Sequence, residues 1–248
     1  MSEQMLIYVS IGVGVVVLMG GVAMVVGVWK MLTAVQQSGE QAVAKQAASN
    51  GWTFDTKSRN SDIDRRWTGT TNGIAWTARH HAVNNRDNQS RHHEFRWVAP
   101  ITGGPASPIL VVHERSALAK LDAARKNTPA FLSGLVDSAI DMGLDGFFGR
   151  EAGSRTDMAR LQLVDGHGLA GFQILAETPT DALVVVERSL KGPLAACEFG
   201  GGSETPGVLL LSDGVHLALR TPVSTEDLKD AVALGSSLAA AFGRLGKA

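Results

Sequence analysis

Four of the chain's seven histidines fall in two adjacent pairs, His80-His81 and His92-His93. Imidazoles at this density suggest metal binding or proton transfer, so the first question is which of them share a face. Each pair sits in a segment of alternating apolar and polar residues, the signature of a half-buried strand. The polar loop Asn84–Ser90 separates the two segments. Pairing the strands about the centre of that loop sets His80 opposite His93 and His81 opposite His92. Alternation then puts Trp76, Ala78, His80, His93, Phe95 and Trp97 on one face. Thr77, Arg79, His81, His92, Glu94 and Arg96 occupy the other. Adjacent histidines therefore cannot share one metal from a regular strand. The largest candidate set on one face is His81, His92 and Glu94, a two-histidine, one-carboxylate arrangement. Arg79 and Arg96 on that face oppose a cation, so a solvated polar sheet face is favoured over a metal centre, and no cofactor is expected.

The same stretch is basic. Between Lys57 and Trp97 eight Lys and Arg face four acids, an excess of four positive charges in a chain whose net charge is −1. Arg79, Arg96, His81 and His92 form a candidate basic contact face for anionic lipid or an acidic partner surface. Alternating Trp and Arg also suggests nucleic acid. The tryptophans fall on the core face, away from the arginines, and that argues against a base-stacking platform.

Other chemical signatures fail on context. Gly166-His167-Gly168-Leu169-Ala170-Gly171 has the spacing of a dinucleotide fingerprint but runs into the strand-like Phe172–Ala176, not into a helix. Gly200–Gly202 lacks the Lys and Ser/Thr of a phosphate-binding loop. There is no G-x-S-x-G elbow, and His113-Glu114 is not followed by the second histidine of a zinc-protease motif. Cys197, the single cysteine, sits in apolar LAACEF as a buried structural thiol. One cysteine excludes an intramolecular disulfide and any multi-cysteine metal site.

The elements that hold these residues alternate between strand runs and helix runs. Ile63–Gly69 and Ile74–Val83 pair across Asn72-Gly73, whose residue types supply the positive φ of a tight turn; Trp67 then falls opposite Ala78. Arg91–Pro100 and Pro108–Arg115 are further strands. Helices are predicted over Ser116–Lys126 and Pro129–Met142, and short strands over Arg160–Asp165 and Gly171–Ala176. Thr178-Pro179 opens a helix, with the threonine as cap and the proline in first position. Val208–Ser212 and Val215–Arg220 pair across Asp213-Gly214. Ser224 starts the last helix, whose apolar face is Leu228, Ala231, Val232, Gly235, Leu238, Ala239, Phe242 and Leu245. This order predicts an α+β domain of mainly antiparallel strands over residues 51–248.

The order resembles an uncharacterised group of bacterial proteins with an N-terminal membrane helix and no assigned activity. The resemblance rests on Gly51-Trp52, the glycine-bearing strand pair, the apolar strand Pro108–Val112, and the closing segments Gly171–Leu190 and Val208–Phe242. It implies a fold and no reaction.

Ahead of this domain the chain changes character. Only 19% of its 248 residues are charged, against a usual value of about 25%, and the deficit is concentrated at the front. After a tail at residues 1–4, Met5–Trp29 contains no charge and is long enough to span the hydrocarbon core as a helix, for which about 20 residues suffice. Tyr8 and Trp29 fall where interfacial aromatic anchors belong. Glu3 precedes the span and Lys30 and Lys45 follow it, so the positive-inside rule places the large domain in the cytoplasm of a bacterial inner-membrane protein. Gly12, Gly14, Gly20, Gly21, Ala23 and Gly27 leave grooves for neighbouring helices. Residues 30–50, rich in Ala and Gln, continue as a helical stalk. The expectation is a non-catalytic, single-pass accessory or scaffolding subunit contacting other integral membrane subunits. A respiratory or photosynthetic assembly is one setting, though no residue selects it. A membrane-tethered ligand-binding or sensor domain is the main alternative, and a hydrolase with an unrecognised site the second.

Overall fold

The structure, a computed structural model, describes residues 39–59, 62–84, 91–114, 144–157, 160–196, 206–220 and 223–245. The chain divides into two compact units, Met1–Ser49 and Asn50–Ala248. In the first, residues 39–49 form a helix, in which the Ser49 hydroxyl donates to the Gln46 carbonyl at 2.8 Å. No helix among the described residues is long and apolar enough to cross a membrane. Met5–Trp29, with Tyr8, Trp29 and the glycine series Gly12 to Gly27, lies outside them. So do Cys197, Gly200–Gly202 and the helices expected over Ser116–Lys126 and Pro129–Met142.

The second unit is α+β, built on a nine-stranded sheet in which every neighbouring pair is antiparallel. Its strands are β1 (Thr53–Arg59), β2 (Asp62–Thr71), β3 (Ile74–Asn84), β4 (Arg91–Pro100), β5 (Ile109–His113), β6 (Gln162–Leu163), β7 (Phe172–Ala176), β8 (Gly207–Leu211) and β9 (Gly214–Leu219). Their order across the sheet is β1-β2-β3-β4-β9-β8-β5-β7-β6. The last hairpin thus inserts between β4 and β5, which are consecutive in sequence.

β1–β4 form a meander because each connection is local. At the β2–β3 turn Asn72 and Gly73 take φ of 54° and 78°, and Thr71 pairs with Ile74. Two positive φ values match the right-handed twist of the flanking strands. Trp67 lies opposite Ala78, as the turn dictates. The β8–β9 turn differs from expectation by one residue. Leu211 pairs with Gly214, so Ser212-Asp213 makes the bend and Gly214 belongs to the strand. Gly214 takes that place for lack of a side chain, since a Cβ there would come within 3.0 Å of His216 Nε2.

One sheet face is apolar from β2 to β7. Trp67, Trp76, Ala78, Phe95, Trp97, Ala99, Val208, Leu210, Ile109, Val111, Ile174, Val215, Leu217 and Leu219 are all buried there. The C-terminal helix, Thr225–Leu245, packs on this face over β3, β4 and β9. It buries Leu228, Ala231, Val232, Gly235, Leu238, Ala239 and Phe242. Its start is a reciprocal cap: the Asp227 amide donates to Ser224 Oγ at 3.1 Å, and the Ser224 amide donates to Asp227 Oδ2 at 2.8 Å. The helix Pro179–Val185 begins differently. Proline holds its first turn, while the Thr178 hydroxyl makes no cap bond. It widens into a π turn at Val186–Leu190 before Lys191–Ala195. Pro193 accounts for the widening: without an N–H it cannot bond to the Ser189 carbonyl one α-turn back, and its ring would strike that carbonyl.

The opposite face changes character across its width. Beneath β5, β7, β8 and β9 it is apolar, and Leu110, Val112, Leu175, Leu209, Leu211 and Ala218 pack there against Leu144, Phe148 and Ala152. Those covering residues come from a helical turn at 144–148 and the short helix Arg150–Gly153. Beneath β1–β4 the same face is charged.

Candidate functional site: the charged face of the sheet

β3 and β4 carry the histidine pairs, but their register is two residues from the loop-centred one. His80 pairs with Phe95, His81 with Glu94, Ala82 with His93 and Val83 with His92. A slip of two preserves faces, so the division between core and polar residues stands while the direct partners change. His80 and His93 become diagonal neighbours on the apolar face. They still meet, His80 Nε2 to His93 Nδ1 at 3.1 Å with rings 7° from parallel. Arg65 lies opposite His80 on its other side, from β2.

On the charged face the three candidate ligands are engaged by cations or spread along the strands. Glu94 is gripped by Arg96 Nη2 at 3.1 Å and lies 3.4 Å from His92 Nε2. That same His92 nitrogen is 3.2 Å from Arg220 Nη1. His81 sits between Asp64 on β2 and Glu94 on β4. Among the described residues no three His, Cys, Asp or Glu side chains are grouped to hold a metal ion.

A second ion-pair centre lies one strand over. Arg79 makes a two-pronged bond to Asp64, Nε to Oδ1 at 2.7 Å and Nη2 to Oδ2 at 3.1 Å, and Arg66 adds a contact at 3.4 Å. Partial burial alone would raise the Asp64 pKa. The Arg79 hydrogen bonds and the positive charges of Arg79, Arg66 and His81 outweigh it, and the net shift is downward.

Arg96 has a structural task. Its guanidinium reaches across the boundary between the charged and apolar halves and donates to the carbonyls of Gly146, at 3.0 Å, and Phe147, at 3.4 Å. It thereby satisfies chain-end acceptors of the 144–148 helical turn. Burial lowers its pKa, Glu94 opposing that shift and Arg79 and Arg220 adding to it. Gly149, at φ 96°, leaves the room it needs, since a Cβ there would lie 3.0 Å from Nη1. Arg220 braces the same turn, stacking 5.6 Å above the Phe147 ring.

The observed registers sort the charges of this stretch by face. Alternation from the observed registers brings Lys57, Arg66, Arg79 and Arg96 together with Asp55, Asp62, Asp64 and Glu94. Arg59 falls on the same face by its register opposite Asp62, and Arg220 joins it beside His92, so six cations meet four acids there. Arg65, counted in the linear excess, falls on the opposite face, and the side chains of Arg86 and Arg91 lie outside the described residues. Sequence reasoning also missed Asp64, Arg220 and His216 as members of the polar constellation. Asp64 could have been found from its position five residues before Gly69 in a hairpin of known turn. Arg220 and His216 arrive from the far end of the chain and left no local signal.

The formal G-x-G-x-x-G is a turn. Gly166, Gly168 and Gly171 all take φ between 68° and 80°, the Leu169 amide donates to His167 Nδ1 at 3.1 Å, and β7 follows at once.

No known family model matches this chain, and no curated protein does. Among solved structures it is similar to the crystal structure of the mycobacterial trehalose monomycolate transport factor A, TtfA. That similarity is 8% identity over 82% of this chain and 90% of the other, with a TM-score of 0.42. A likeness at that level carries no argument about fold or function.

Proposed function

We propose that this protein is a non-catalytic, membrane-anchored accessory subunit that scaffolds a larger inner-membrane assembly. Met5–Trp29 is its anchor, Gly12, Gly14, Gly20, Gly21, Ala23 and Gly27 its helix-packing surface, and the sheet domain its cytoplasmic contact module. The supporting observation is the charged face of β1–β4. There the groups best suited to chemistry are committed to one another: Asp64 to Arg79, Glu94 to Arg96, His92 to Glu94 and Arg220. A face of interlocked pairs with a surplus of cations suits an acidic partner surface or anionic lipid.

Mild detergent extraction of membranes followed by native purification tests the proposal. Co-purification with other integral membrane subunits is expected, and a protein that runs alone counts against a scaffold. Replacing Gly20 and Gly27 by Leu fills the helix grooves and should release the partners; unchanged co-purification would remove the packing role from that helix.

A further inference from the structure

Grooves on the sheet domain differ in chemistry. One, about 820 Å³, runs from the β2–β3 turn to Ala239 and Gly243 of the C-terminal helix. Another, about 590 Å³, lies along Thr68–Thr70 and Ala75–Thr77. Neither is lined by a charged side chain, so neither offers an ion a counter-charge. A third, about 480 Å³, lies where β4 and β9 meet the segment 148–155. Its volume is within the range of small-molecule sites, about 300–1,000 Å³.

This third groove has the composition of a ligand site. Val98, Pro100, Phe148 and Ala152 give it an apolar wall. Arg96, Arg150 and Arg155 meet Glu151 and Asp213 in its lining, and Glu94 just outside it holds Arg96, so the charges there are even in number. Two of the five lining charges are spent on each other, with Arg155 Nη1 2.9 Å from Asp213 Oδ1. Arg96 is held by Glu94 and the two backbone carbonyls. Arg150 has no ion-pair partner among the described residues. His216 projects from β9 into the same space, its Nε2 over Gly214, and receives no hydrogen bond among the described residues. Burial pushes the His216 pKa down, with Arg155 assisting and Asp213 and Glu151 opposing. It is therefore a neutral imidazole at physiological pH, able to donate from one nitrogen and accept at the other.

We infer that this groove binds a small organic acid, its carboxylate on Arg150, its apolar body against Val98 and Pro100, and a hydrogen bond to His216. Arg150, without an ion-pair partner among the described residues, selects a monoanion, and the apolar wall selects one with a hydrocarbon body over a bare inorganic ion.

Calorimetric titration of the full chain in mild detergent tests this, with benzoate as probe, benzamide as its neutral counterpart, and detergent alone as reference. Saturable benzoate binding is expected, weakened at least tenfold by Arg150→Ala, with benzamide weaker by a similar factor. A second readout follows the imidazole protons by NMR, assigned through His216→Gln. An anion beside His216 stabilises its charged form, so benzoate should move that ring's titration midpoint to higher pH. Arg150 is exposed, so its alanine variant keeps the test usable if the His216 variant does not fold. Absence of saturable binding, equal affinity in wild type and Arg150→Ala, or benzamide binding as tightly as benzoate would overturn the inference. None of these outcomes depends on whether the chain co-purifies with partners.

Discussion

Gly235 of the C-terminal helix lies flat against the six-membered ring of Trp97, so close that a β-carbon there would overlap the ring atoms Cζ3, Cε3 and Cη2. Trp97 is fully buried, and β4 is the strand on which the helix packs most closely. The glycine therefore sets how near the helix can come to the sheet. Gly235→Ala should destabilise the domain by about 1–3 kcal/mol through overpacking, despite alanine's better helix propensity. Gly243→Ala, eight residues on, meets nothing within 4 Å and should be neutral or stabilise by up to about 1 kcal/mol. Urea denaturation of the two variants decides it; the same sign for both would refute the packing role of Gly235.

The reciprocal bonds between Ser224 and Asp227 close the only long helix among the described residues. Ser224→Ala should cost about 1 kcal/mol, the usual value of a lost N-cap. Thr178→Ala should cost much less, because the Thr178 hydroxyl caps nothing. Thermal unfolding of the two variants side by side measures the contrast.

Arg96 ties the 144–148 turn to the sheet through the Gly146 and Phe147 carbonyls. Arg96→Met keeps much of the aliphatic stem and removes the donors. The expected outcome is faster amide exchange at Gly149 and Gly153, whose N–H groups bond within that segment to Asp145 and Gly149, with little change on the β2–β3 hairpin. Uniform acceleration across the domain would mean that Arg96 supports global stability instead.

The acid side of the stability profile should show two components. The folded-state pKa of His216 is lowered by burial, so between it and the unfolded value, about 6.5, the unfolded chain binds more protons. Stability is then fully present above about pH 6.5 and falls as pH drops toward the folded pKa. Asp64 is lowered as well, and the stability from its pairing with Arg79 is present above about pH 4 and lost further into acid. His216→Gln should remove the upper component and Asp64→Asn the lower, in denaturation midpoints measured from pH 8 to pH 3.

Where the sequence was informative, local chemistry decided the outcome. Asn72-Gly73 sets its own turn and with it the pairing of Trp67 with Ala78. Arg91–Pro100 alternates cleanly and is a strand over that same span. The faces of β3 and β4 were legible because alternation does not depend on register by twos. Register itself was not legible, because the polar connection between Asn84 and Arg91 places no turn as Asn-Gly does. β1 escaped notice because TFDTKSR has few apolar residues; it is an edge strand completed by pairing with β2. The charge pairing of the polar face was hidden by counting along the chain, which mixes residues that alternation sends to opposite sides. The groove with Arg150 and His216 was least legible of all, since it joins β4, β9 and segment 148–155, far apart in sequence.

The insertion of β8 and β9 between β4 and β5 makes the order of synthesis matter. The ribosome delivers β4 and β5 early, yet their neighbours in the finished sheet, β9 and β8, come near the end of the chain. The β1–β4 meander can therefore form while the remaining strands still lack the hairpin that joins them to it. Until Gly207–Leu219 emerges, β4 presents an open edge carrying Phe95, Trp97 and Ala99. A nascent chain would wait in that state, and a stop codon ahead of β8 would leave it there permanently.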